Sequence, residues 1–221
     1  MRHFGAGKGV AIVSRFEDGS ASITYDELAN GWATWSEHDR IAFCQNCSWL
    51  RGQRDLPDIL KFIAAHGDPY EWGGIALPIT HTLPAEEAFS TLERMFEASV
   101  IGTRSNLVQA IGLVEHAGSL ELVVADIRAL APLEATWHPD DFVNWHASEL
   151  ICAVHAALDL GADHADYTDL VRRLASHPSP VNAAAARRDL SRHYPEVLAP
   201  TKVDSESELP NNVLPFEPRR R

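Results

Sequence analysis

The sequence predicts an all-α protein, a helical-hairpin array preceded by a short N-terminal β-hairpin or arm. Three observations predict it. From residue 26 onward, apolar residues recur at the three-to-four-residue spacing of one helix face. Breaks of about 2–8 residues separate the helical segments, which makes successive helices antiparallel neighbours. The segments also pair into units of roughly 30–40 residues, the period range of helical-hairpin arrays. The expected organisation is an arm over 1–25, a helical domain over 26–199 and a disordered tail over 200–221.

The arm rests on VAIVSRF (10–16) and ASITY (21–25), two β-prone runs flanking EDGS, which read as a hairpin with a Gly-containing turn. An irregular arm packed on the helices is the alternative. Ser36 followed by Glu37 and Asp39 reads as an N-cap with an acidic first turn. In the next helix, Leu56, Ile59, Leu60 and Ile63 share a face, and Gly67 suits a left-handed C-cap. Pro84 with Glu86 and Glu87 starts another, with Ala85, Ala88, Phe89, Leu92 and Phe96 as its buried stripe. Further helices are expected at about 105–116, 119–131, 140–159, 165–176 and 179–193. They pair as 84–98 with 105–116, 119–131 with 140–159, and 165–176 with 179–193.

The segment LVRRLASHPSPVNAAAARRDLSRHYP (170–195) resembles a HEAT-type repeat. It has an apolar-striped first helix, a Pro-containing turn, and a second helix opening Pro-x-Val and running through alanines to Leu190. Asn182 stands where HEAT units often carry Arg. The resemblance implies an α-solenoid scaffold with a binding surface and carries no catalytic residues.

The net charge of −12 excludes general nucleic-acid binding, which needs Lys and Arg against phosphate. Residues 111–170 hold eleven Asp/Glu and one basic residue, Arg128, a net of −10. Those acids are expected on exposed faces and loops. No run of ~18 apolar residues offers a membrane span, and MRHFGAGK lacks a signal-peptide core. Three cysteines are too few for a secreted disulfide framework, so a cytoplasmic location is expected.

Candidate chemistry is sparse. Cys44-x-x-Cys47 follows no apolar strand, unlike a thioredoxin-type site, and lacks the partners of a zinc site. Cys44 and Cys47 are expected in a helix core beside Phe43 and Leu50. HExxH and Gly-x-Ser-x-Gly are absent, and Gly5-Ala-Gly-Lys-Gly lacks the strand and the Ser/Thr of a phosphate loop. His146 and His155 lie nine residues apart and point to opposite sides of their helix. HPDDFVNWH (138–146) reads as a helix start with Pro139 first and Asp140 and Asp141 on the dipole.

The expected function is non-enzymatic protein binding, with no cofactor, metal, membrane or nucleic-acid partner. Its sharper form is an acidic inhibitor that occludes a basic protein, as the immunity protein of a bacterial toxin does. Asp140, Asp141, Asp163 and Asp166 are the candidate partner-binding residues. The alternative is a metal-dependent enzyme using the His/Asp-rich region 138–169.

Overall fold

The described residues, 23–133 and 143–198 of the computed structural model, form eleven α-helices, and none of these residues is in a strand. The helices are α1 (Tyr25–Gly31), α2 (Glu37–Gln45), α3 (Leu56–His66), α4 (Pro69–Thr82), α5 (Ala85–Ala98) and α6 (Ser105–Gly112). They continue with α7 (Ser119–Leu130), α8 (Trp145–Asp159), α9 (Thr168–Ala175), α10 (Pro180–Leu190) and α11 (Pro195–Leu198). Single 3-10 turns sit at Trp32–Thr34, Cys47–Leu50 and His164–Tyr167. The all-helical class expected from the sequence holds. The hairpin expected over 10–25 falls almost wholly outside the described residues, as does the tail over 200–221. At its far end Thr24 is the N-cap of α1, in a capping box with Glu27.

Alternate helices lie against one another: α2 on α4, α4 on α6, α6 on α8, and α8 on α10. Against this row pack α3, α5, α7 and α9, each in contact with a sequence neighbour. The three helix pairs expected from the sequence are α5 with α6, α7 with α8, and α9 with α10, and each pair is in contact.

Helix α4 breaks the sequence rules, and the 69–82 stretch is not among the helices the sequence predicts. It contains Gly73, Gly74 and Pro78, all poor helix formers. Its start is strongly specified instead. Pro69 occupies the first turn, and Asp68 and Glu71 form a reciprocal capping box. Gly74 is there for lack of room, since a Cβ would stand 2.5 Å from the backbone carbon of Cys44. Gly112 plays the same part between α6 and α8, where a Cβ would stand 2.7 Å from that of Ala156.

Several expectations need correction. Gly67 ends α3 with extended backbone, φ −82°, so no left-handed cap forms. A Cβ there would stand 2.7 Å from the Ile63 carbonyl and 2.8 Å from Glu71 Oε2, which explains the glycine by space. Helix α2 stops at Gln45, so Cys44 lies on it while Cys47 and Leu50 lie on the following 3-10 turn. Both cysteines are buried and free beside Phe43. Helix α8 begins at Trp145, and Pro139 lies outside the described residues. Asn144 caps it, its Oδ1 accepting from the Ala147 N–H at 3.2 Å.

Asn182 has a clear role where the HEAT resemblance would place Arg. It is buried in the first turn of α10 and grips the α8 cap through two bonds. The Asn144 N–H donates to its Oδ1 at 2.9 Å, and its Nδ2 donates to the Asn144 carbonyl at 3.0 Å.

Candidate functional site

The acids of 111–170 divide in two, which corrects the expectation that all lie exposed. Asp126 on α7 and Glu149 on α8 are buried, and Arg104 holds both from the turn before α6. Its guanidinium lies 3.2 Å from Asp126 Oδ1, and its backbone N–H donates to Glu149 Oε2 at 2.5 Å. The guanidinium also donates to the Ser99 carbonyl at 2.6 Å and stacks 4.3 Å from the Phe96 ring centre. Burial pushes the Glu149 carboxyl up to about 7, against the N–H of Arg104, and nearby Asp126 adds to the rise. Burial also raises Asp126, although Arg104 opposes it. This cluster is interior and joins α6, α7 and α8. Charge at these two positions does not reach the surface.

Asp163 and Asp166 are exposed, on and beside the 3-10 turn between α8 and α9. Asp163 Oδ1 accepts from the Ala165 N–H at 2.9 Å, so one of its oxygens caps that turn. Asp140 and Asp141 lie outside the described residues. Of the tryptophans, Trp32, Trp35 and Trp72 are buried, whereas Trp145 is 66% exposed beside the 99–104 turn.

The row of alternate helices carries a groove of about 340 Å³. Helix α4 contributes Leu77, the end of α6 contributes Gln109, Gly112 and Leu113, and α10 contributes Arg188 and Asp189. Its longest wall is one stripe of α8: Ile151, Cys152, His155, Ala156 and Asp159. These positions share a face because they are separated by about one or two helical turns. Leu77 and Leu113, on the α4 and α6 walls, are exposed. Gln109 Nε2 lies 3.0 Å from Cys152 Sγ, and Arg188 is forked onto Asp189 at 2.5 and 2.8 Å.

On the α8 wall, Asp159 gathers three basic side chains. His155 Nε2 lies 3.2 Å from its Oδ2, and His193 Nε2 lies 3.1 Å from its Oδ1. The Arg192 guanidinium reaches the same carboxylate. His193 follows α10, and burial pushes its ring below the usual histidine range despite Asp159. The Tyr194 hydroxyl donates to the His164 carbonyl at 2.6 Å, which ties this corner to the turn bearing Asp163 and Asp166. The structure thus brings the candidate acids Asp163 and Asp166 near a histidine–aspartate cluster that the sequence reading did not assemble. Part of the signal was present, since His155 and Asp159 are four residues apart on one helix.

Comparison with known proteins gives no match. No family model, no curated protein and no solved structure is significantly similar to this chain. No described helix is long and apolar enough to cross a membrane.

Proposed function

We propose that this protein is a non-enzymatic protein-binding module of the HEAT-like helical-array kind, and that the groove over α4, α6, α8 and α10 is its binding face. The observation that carries the reading is the groove itself, a surface built by alternate helices of the row, with two exposed leucines in its lining. Helical arrays bind along such surfaces because each helix adds the same face to a continuous strip. Leu77 and Leu113 serve as apolar anchors, and the exposed Asp163 and Asp166 on the turn after α8 supply the acidic contacts. The preferred partner is a basic protein with an apolar segment, drawn in by the net charge of −12. In its sharper form the protein is an inhibitor that occludes such a partner in the cytoplasm, as an immunity protein occludes a toxin.

The test is affinity capture from the native cytoplasm with the wild type and two variants. One carries Leu77→Asp with Leu113→Asp, and the other Asp163→Lys with Asp166→Lys. The expected result is one stoichiometric partner, lost by the leucine variant and bound more slowly by the lysine variant. A partner retained equally by both folded variants would overturn the reading.

The alternative, a metal-dependent enzyme, has one observation in its favour, the cluster of His155, Asp159 and His193 at the groove. It requires both a bound metal and turnover that the metal supports.

A further inference from the structure

We infer that His155, Asp159 and His193 form a binding site for one divalent transition-metal ion of the zinc class. The inference goes beyond the protein-binding reading and stands without it. One ligand atom from each residue lies within 4.8 Å of the other two. His155 Nε2 lies 3.2 Å from Asp159 Oδ2 and His193 Nε2 lies 3.1 Å from Oδ1, so the two rings converge on the two oxygens of one carboxylate at spacings close to those of neighbouring metal ligands. With metal–ligand bonds of about 2.0–2.1 Å, tetrahedral ligands stand about 3.3 Å apart.

The fold supplies the rigidity that a metal site needs. His155 and Asp159 are one turn apart on the fifteen-residue α8, so one helix fixes two ligands. His193 comes from the end of α10 and is followed by buried Tyr194, which is anchored to the His164 carbonyl. Two imidazoles and one carboxylate suit Zn²⁺, Co²⁺ or Fe²⁺, whereas Mg²⁺ and Ca²⁺ favour all-oxygen sets. Three protein ligands leave a further position for water or a ligand atom. His155 and Asp159 both line the groove, so an ion held there sits at its edge.

Arg192 is the competitor. Its guanidinium contacts the Asp159 carboxylate and lies 3.3 Å from His193 Nε2. Its side chain is 66% exposed, so it can turn to solvent while the ion takes over its charge. Coordination uses the Nε2 lone pair of each ring, which leaves the ring proton on Nδ1. A purely structural network would use the same residues to fasten α8 to the end of α10. The two accounts make opposite predictions for Arg192, because a network needs it and a metal site is weakened by it.

The experiment uses untagged full-length protein stripped with a chelator. Zn²⁺ is titrated by calorimetry, and Co²⁺ binding is followed by visible absorption. The expected result is saturable binding of one Zn²⁺ per chain. His155→Gln with His193→Gln should weaken it at least tenfold, and Arg192→Ala should tighten it several-fold. Bound Co²⁺ should show d–d bands without thiolate charge transfer, which separates this site from one recruiting Cys152. Absence of saturable binding in both the wild type and Arg192→Ala would overturn the proposal. So would unchanged affinity in the double histidine variant, or a thiolate band. If circular dichroism shows the double variant unfolded, the Arg192→Ala titration and the cobalt spectrum decide.

Discussion

Arg104 and Glu149, 45 residues apart in sequence, meet where the N–H of Arg104 donates to Glu149 Oε2 at 2.5 Å. The guanidinium of the same arginine turns to Asp126, so one residue holds two buried carboxylates, one through its cation and one through its backbone. Asp126 Oδ2 and Glu149 Oε1 have no hydrogen-bond partner among the described residues. Two buried acids on one base cannot both ionise cheaply, and the raised Glu149 carboxyl is the result.

A pH dependence of stability follows. The folded value of Glu149, about 7, lies above its ordinary 4.5, so the folded state holds the proton more tightly. The contribution of this group to stability therefore falls as pH rises from about 4.5 to about 7, and is level above that. Asp126, also raised, acts in the same direction. Glu149→Gln keeps an acceptor for the Arg104 N–H and removes the charge. It should stabilise the protein at pH ~8 by about 1–3 kcal/mol and flatten the pH profile. Urea unfolding of both proteins at pH ~5.5 and ~8 checks this, and an unchanged difference between the two pH values would contradict it. Arg104→Met should cost about 3–5 kcal/mol at the higher pH, because it strands the buried Asp126 carboxylate and takes the cation away from Glu149, which keeps the backbone N–H.

The Gly112 contact gives a second expectation. An added methyl group would meet Ala156 at 2.7 Å, and neither helix backbone can retreat without disturbing the row. Gly112→Ala should destabilise by about 1–3 kcal/mol, despite the better helix propensity of Ala. Ala156→Gly in the same chain should recover part of this, since the next nearest atom stands at 3.1 Å. Denaturant midpoints of the two singles and the double give the coupling directly.

These two contacts also mark how far the sequence was legible. Helices with clean apolar periodicity, such as α3 and α5, are readable because core burial and propensity agree there. Helix α4 is not, because Gly74 and Pro78 lower its propensity while its contact with α2 demands the missing side chain. Pairing across the chain is likewise invisible to local pattern. Arg104 lies outside the acidic stretch it neutralises, so a segment-by-segment charge count places Asp126 and Glu149 on the surface. His193 is 34 residues beyond Asp159, and only the packing of α10 on α8 brings them together. A search confined to His–His spacing pairs His155 with His146 and misses Asp159, one turn away.

Cysteine reactivity should separate the three thiols. Cys44 and Cys47 are buried, and a hydrogen bond with Cys47 together with burial holds the Cys44 thiol protonated. Cys152 is half-buried and faces the groove. In the native protein a thiol reagent should therefore modify Cys152 alone, with the other two reacting only after denaturation. Mass spectrometry of the labelled peptides checks this. Fast labelling of Cys44 or Cys47 in the folded state would show that the core there opens readily. Cys47→Ser should cost about 1–3 kcal/mol, because it buries a hydroxyl among apolar neighbours.

Asn182 offers the sharpest test of how the last two hairpins are joined. Its side chain is buried and reads one residue's backbone from both sides, taking the Asn144 N–H and giving to the Asn144 carbonyl. The N–H lies at the N-cap of α8, where helix geometry leaves donors without helical partners, while the carbonyl also accepts from the Ser148 N–H at 2.9 Å. Asn182→Ala removes both bonds at once and should cost about 1–3 kcal/mol, less than two orphaned groups would, because the Asn144 carbonyl still accepts from the Ser148 N–H. Asn182→Asp keeps the acceptor but replaces the donor with a second acceptor and a buried charge, so it should be at least as damaging near neutral pH. Asn182→Arg, the residue the HEAT resemblance would place there, offers donors but no acceptor for the Asn144 N–H. It should fail to restore stability, which thermal unfolding of the three variants decides. If Arg is tolerated as well as Asn, the Asn144 contact is not what holds α10 against α8.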